Sequence, residues 1–302
     1  MPSTLDFFPQ LESQQTLEES LEAITFIVGA LSILGCLFNI GVTVYFKKSR
    51  LIFGKMVILL AVFDLLNNVP AVLITFEFLN SPFTCEVAGS WVTYFGFAGS
   101  YFFTTCFAHS LFHSLKNSSI ECVQKYYRKY ISLSVAAGLV VGTTAVMVRF
   151  KEYKSFGNGH SSCTTHQFSG YHPAVLFILV IPGIINMVGC SIYYILTMRV
   201  LNKLHQGYNW GLLVYPMIIV ICIAPAMLRR LLFLLGIKDM PDIYIQATRA
   251  AFGAQGFLNS LAYGLSKEIY GLLKGCCCPR DRSESLVETV SDEPEKDRLY
   301  TL

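Results

Sequence analysis

Seven stretches of this chain are each long enough to cross a bilayer as a helix and run through apolar side chains almost without charge. A helix needs about 20 apolar residues to span roughly 30 Å of hydrocarbon. Hydrocarbon offers no partner to an open backbone N–H or C=O, so the spanning segments must close their own hydrogen bonds. The windows lie near residues 24–46, 56–79, 87–115, 130–150, 173–198, 211–235 and 243–265. Composition agrees with lipid as solvent: 53% of the 302 residues are hydrophobic and only 14% charged, against about 25% charged in a soluble domain. The expected fold is an all-α membrane protein, a seven-transmembrane helix bundle.

Basic residues stay on the cytoplasmic side of short loops, and they orient this bundle. No Lys or Arg precedes Lys47; Lys47, Lys48, Arg50 and Lys55 follow the first window, and Lys116, Lys125, Arg128 and Lys129 follow the third. Arg199 and Lys203 follow the fifth, and Lys267, Lys274, Arg280 and Arg282 the seventh. Arg149, Lys151, Lys154 and Lys238 are the opposing minority. The N-terminus is therefore expected outside the cell. The net charge of +3 reflects this bias and forms no compact basic domain for nucleic acid.

Residues 1–20 form a short acidic extracellular segment, too little for a folded ectodomain, so a ligand is expected among the helices of the 21–265 membrane domain. The first window starts too far from Met1, after too acidic a run, for a cleaved signal, and reads as a retained anchor. Residues 266–278 put Ile269, Leu272 and Leu273 on one face between basic residues, an amphipathic helix lying along the cytoplasmic surface. Residues 279–302 are polar and charged and are expected to be disordered.

Location sorts the ten cysteines. Cys85 and Cys163 face the oxidising side and are expected to form a disulfide across the extracellular mouth. Cys276, Cys277 and Cys278 follow the amphipathic segment, where acyl chains add a second anchor. Cys36, Cys106, Cys190 and Cys222 lie inside windows, where a thiol acts as a small apolar group.

Polar side chains kept in lipid need a partner or a wet cavity. An inner layer comprises Asn39, Asp64, Asn67, Asn68, Asn259 and Tyr263. A mid-helix carboxylate must be protonated, paired or bound to a cation, so this layer reads as a switch or ion pocket. The competing reading is hydrogen-bonded glue between helices. Pro225, near the middle of the sixth window, removes a ladder bond and permits a kink. A bend there would swing the cytoplasmic end of the helix.

An outer layer holds Arg149, Arg229, Arg230 and Arg249. Arg229 lies about 27 Å along its window at roughly 1.5 Å per residue, and Arg249, entering from outside, is expected at similar depth. Guanidinium forks match carboxylate and phosphate oxygens, so these four are candidates for a small anionic ligand. Snorkelling or pairing with Glu77, Asp239 or Asp242 is the plainer alternative.

These motifs resemble the slime-mould cyclic AMP receptor family, a branch of G-protein-coupled receptors. The resemblance runs over about 24–275 and is carried by Cys85, SYFFTTCFAHSLF, YPMIIVICIAPAMLRRL and QGFLNSLAYG. Echoes of the rhodopsin-like branch add Asn39, the LAVFD run ending in Asp64, the spacing of Cys222 to Pro225, and Asn259 four residues before Tyr263. Ser260 stands where that branch usually has proline, and HSLFHSLK replaces its acidic-arginine-aromatic triplet.

The resemblance implies a multi-pass receptor of the plasma membrane, without cofactor and not an enzyme. It implies an extracellular small-molecule agonist and nucleotide exchange on a heterotrimeric G protein. A kinase or arrestin-like partner would then act on Ser283, Ser285, Thr289 and Ser291. The enzymatic alternative is a seven-helix zinc hydrolase, in which His109 and His113, at i and i+4, share a helical face and Asp64 supplies a third ligand. An opsin would need a helix-seven lysine, and none precedes Lys267.

Overall fold

The structure, a computed structural model, describes residues 8–75, 89–117, 121–156, 173–203, 210–237 and 240–264. All regular structure among the described residues is helical: α1 (Phe8–Tyr45), α2 (Ile52–Thr75), α3 (Ser90–Asn117), α4 (Glu121–Phe156), α5 (Pro173–Lys203), α6 (Trp210–Leu234), α7 (Asp242–Gly253) and α8 (Gln255–Gly264). A short 3₁₀ turn at Lys48–Arg50 joins α1 to α2.

Among the described residues, four segments are long and apolar enough to cross a membrane: Ala23–Tyr45, Ile52–Pro70, Val123–Met147 and Val180–Lys203. The apolar part of α6 is shorter, Val220–Arg229. The last sequence window is occupied by two helices of 12 and 10 residues. Helical bonds continue through the join, since Ala254 N donates to Ala250 O and Leu258 N to Ala254 O, each 2.9 Å. Gly253 and Gly256 flank the break, and glycine is among the weakest helix formers.

Two helices start earlier than hydropathy alone suggests. α1 begins at Phe8, well before its apolar window, and α4 begins at Glu121, taking Lys125, Arg128 and Lys129 into its first turns. A helix needs internal hydrogen bonds in lipid but is free to continue beyond it, so apolarity marks the span and not the helix.

Polarity is inverted relative to a soluble fold. On α1, Ile24, Ile27, Leu31, Leu34 and Phe38 are exposed, Leu34 by 62%, while Ser32, Cys36, Asn39 and Thr43 are buried. The two sets recur every three or four residues, so they occupy opposite faces of one helix. α5 repeats the pattern, with Ile185, Val188 and Ile192 outside and Asn186, Cys190 and Thr197 inside. Burial in water would hide the isoleucines; in lipid they are the solvated face.

The interior packs around α2 and α3, where Met56 and Phe103 are fully buried against Phe63, Phe107 and Ile223. Close approach of these two helices requires Gly96: a Cβ there would lie 2.5 Å from Asn67 N. Small residues let membrane helices approach in this way.

Candidate functional site

Asp64 is carried by α2 into the centre of the bundle, where only 2% of it is exposed. Its Oδ1 accepts from Ser100 Oγ on α3 at 2.6 Å and from Gln255 Nε2 on α8 at 3.4 Å. Its Oδ2 accepts from Asn259 Nδ2, one turn further along α8, at 2.9 Å. Gln255 Nε2 also donates to Ser100 Oγ at 2.9 Å, closing a ring of three side chains, Asp64, Ser100 and Gln255, from which Asn259 branches. The carboxylate is thus shared by three helices through neutral donors.

A second tier ties α1 to the same place. Asn68 Nδ2 donates to Ser32 Oγ at 3.2 Å and to the Asp64 carbonyl at 2.9 Å. Gly256 makes room for α1, because a Cβ there would lie 2.7 Å from Cys36 Sγ and press on Ser32 Oγ. Lower on the same helices, Thr43 Oγ1 donates to Tyr263 OH at 3.0 Å.

Of the expected inner layer, Asp64 and Asn259 meet directly, Asn68 joins through its amide, and Tyr263 pairs with α1. Asn39 and Asn67 are buried too, but each leaves Oδ1 without a hydrogen-bond partner among the described residues. Buried amide oxygens are seldom left so. Pro225 lies outside the ring and engages α7: Tyr244 OH donates to its carbonyl at 3.0 Å.

Sequence reasoning missed Ser100, Gln255 and Ser32. Serine in a membrane helix carries no directional signal. Gln255 does, since it precedes Asn259 by four residues and so shares its face.

The arginines occupy α4, α6 and α7. Arg229 and Arg249 are half-buried; the side chains of Arg149 and Arg230 lie outside the description. The Tyr244–Pro225 contact sets the register of α6 against α7. Arg229 lies four residues beyond Pro225 and Arg249 five beyond Tyr244 on a helix running back, a backbone stagger of about 13 Å rather than equal depth.

His109 and His113 lie with ring centroids 4.4 Å apart and their planes tilted by 40°, and His109 Nδ1 is 2.6 Å from Tyr130 OH. The third zinc ligand expected of Asp64 is not in reach. Asp64 is bonded to Ser100, nine residues or about 13 Å along α3 from His109. No group of three His, Cys, Asp or Glu side chains suited to a metal occurs among the described residues. Cys85, Cys163, Cys276, Cys277 and Cys278 lie outside the described residues, as do residues 266–302.

Lipid-facing isoleucines around a buried, hydrogen-bonded carboxylate define a helical membrane protein with a polar core. Within that class, the chain belongs to the slime mold cyclic AMP receptor family, whose family model matches residues 12–268. It is also similar to the cyclic AMP receptor-like protein G of Dictyostelium discoideum, 24% identical over 175 residues. That match covers 55% of this chain and spans 32% of the relative's length. The family is one of membrane receptors.

Proposed function

We propose that the chain is a seven-span receptor of the plasma membrane, N-terminus outside, that converts binding of a small anionic ligand into nucleotide exchange on a heterotrimeric G protein. One observation carries the reading: a single buried carboxylate, Asp64, is held by α2, α3 and α8 through four interlocked side chains. A group shared by three helices through neutral donors can be re-partnered by a proton or a small cation, and each exchange alters how the helices sit. Asn39 and Asn67 supply nearby amide oxygens, the hard ligands such a cation prefers. Pro225 supplies the kink about which α6 swings.

The ligand enters between α6 and α7, which carry Arg229 and Arg249, with Arg230 and Arg149 contributing charge. A phosphate-bearing molecule suits guanidinium forks, and the cyclic AMP in the family's name is of that kind. A Cys85–Cys163 disulfide closes the mouth. Acyl chains on Cys276, Cys277 and Cys278 fix the cytoplasmic helix, and phosphorylation at Ser283, Ser285, Thr289 and Ser291 adds the charge that docks a desensitising partner.

The test is nucleotide exchange on a panel of purified G proteins by the chain in nanodiscs, with and without cyclic nucleotides. Asp64→Asn and Gln255→Leu are expected to change ligand-free exchange. Arg249→Ala is expected to raise the half-maximal ligand concentration about tenfold, the equivalent of roughly 1.4 kcal/mol. Exchange on no G protein, or exchange indifferent to all three substitutions, overturns the reading.

A further inference from the structure

The histidine pair on α3 has no part in the Asp64 ring, yet it sits in a built arrangement of its own. His109 lies edge-on to Tyr126 and Tyr130 of α4 and to Tyr193 of α5, with centroids 6.4, 5.7 and 4.9 Å away. His113 meets Phe112 at 5.3 Å, and Phe112 meets Tyr193 at 6.1 Å. The cluster therefore fills the groove between α4 and α5 on the outer face of α3. Its histidines and tyrosines other than Tyr130 are only half-buried, so the groove is open.

Two ammonium groups bracket it. Lys116 Nζ stands 5.7 Å over the Phe112 ring and Lys129 Nζ 5.4 Å over the Tyr126 ring. Each ammonium thus rests on a ring that itself touches the imidazole pair. Lys125 and Arg128 are exposed on the same end of α4. No Asp or Glu occurs anywhere in α3 or α5, and α4 has only Glu121 and Glu152. The side chain of Glu121, four residues before Lys125, lies outside the description. A cation over an aromatic face keeps its remaining N–H donors free.

We infer that this groove is a binding site for the phosphate-bearing headgroup of an anionic phospholipid of the cytoplasmic leaflet. Lys116 and Lys129 take the phosphate, and the tyrosines and Phe112 pack on the glycerol and upper acyl chain. The charge is complementary, His109, His113, Phe112, Tyr126 and Tyr193 are half-buried, and aromatic rings favour headgroup depth. Clusters of four or more basic residues beside a membrane helix attract anionic lipid. The leaflet follows from the orientation proposed above, but lipid binding and nucleotide exchange are read separately, so either can fail alone.

The experiment is native mass spectrometry of the full chain, purified in detergent, with phosphatidylcholine, phosphatidylserine or phosphatidylinositol 4,5-bisphosphate added. The expected result is a tight adduct with the anionic lipids and not with phosphatidylcholine. It should weaken roughly tenfold or more in Lys116→Gln/Lys129→Gln. It should persist in Arg50→Gln/Lys55→Gln, which removes equal charge elsewhere on the same side, and return in Lys116→Arg/Lys129→Arg. Equal weakening by both glutamine pairs would show diffuse charge and overturn the site. So would equal adducts with phosphatidylcholine, or displacement by soluble inositol phosphate at the concentration of the lipid.

Discussion

Asp64 has two carboxylate oxygens and three side-chain donors aimed at them, so its neighbours are committed to an acceptor at that position. Asp64→Ala strips the acceptor from Ser100 and Asn259 and leaves a void, and each unsatisfied buried polar group costs about 1–3 kcal/mol. Asp64→Asn keeps the volume and one carbonyl oxygen. Thermal midpoints of the purified chain are therefore expected in the order wild type, Asn, Ala, and equal midpoints for the two variants would contradict the hydrogen bonds described. A smaller test lies at Tyr244, whose hydroxyl reaches the Pro225 carbonyl at 3.0 Å. Tyr244→Phe removes one neutral hydrogen bond and should cost about 1 kcal/mol, seen as a slightly lower midpoint. No change would mean that α6 and α7 do not meet there.

Helices differ in how far their behaviour follows from their own sequence. Pro225 cannot donate to the Ile221 carbonyl, so α6 is weakened at that point by composition alone. Pro225→Ala restores the bond and should stiffen α6: the midpoint holds or rises while ligand-driven exchange falls. Undiminished exchange would remove Pro225 from the switch. Gly256 behaves differently, since its importance depends on what packs against it. Gly256→Val pushes into Ser32 and Cys36 and should lower the midpoint by the equivalent of about 1–3 kcal/mol, whereas Gly41, which has nothing within 4 Å, should accept the same change. The sequence made the apolar windows legible, because lipid imposes length and polarity on each helix separately. It also made Asp64, Asn259 and the histidine pair stand out, because polar groups are costly there. The early starts of α1 and α4 and the break at Ala254 were not legible, since none is imposed by lipid. Ser100 and Ser32 were hidden for another reason: a hydroxyl in a membrane helix can satisfy itself on its own backbone, as Ser110 does on the Phe107 carbonyl at 2.8 Å.

The molecule as a whole has a charge asymmetry that should decide how it sits in the membrane. Lys47, Lys48, Arg50 and Lys55 cluster between α1 and α2 and at the start of α2; Lys116, Lys125, Arg128 and Lys129 cluster where α3 ends and α4 begins; Arg199 and Lys203 close α5. These groups alternate along the chain, with residues 76–89 between α2 and α3 carrying no Lys or Arg at all. Alternation of this kind is what successive crossings produce when basic residues resist translocation. An odd number of crossings then leaves the two ends of the chain on opposite sides. Four helices among the described residues are long and apolar enough to cross. α3, α6 and the α7–α8 pair make up the remaining three in the proposed arrangement. An N-terminal epitope should accordingly be stained on intact cells, and a C-terminal epitope only after permeabilisation. The Asn117-Ser-Ser sequon, which begins at the last residue of α3 and faces the cytoplasm in the proposed orientation, should carry no glycan. Staining of both ends on intact cells would mean an even number of crossings. A glycan on Asn117 would invert the orientation, and with it the side from which the Lys116 groove and the α6–α7 arginines are reached.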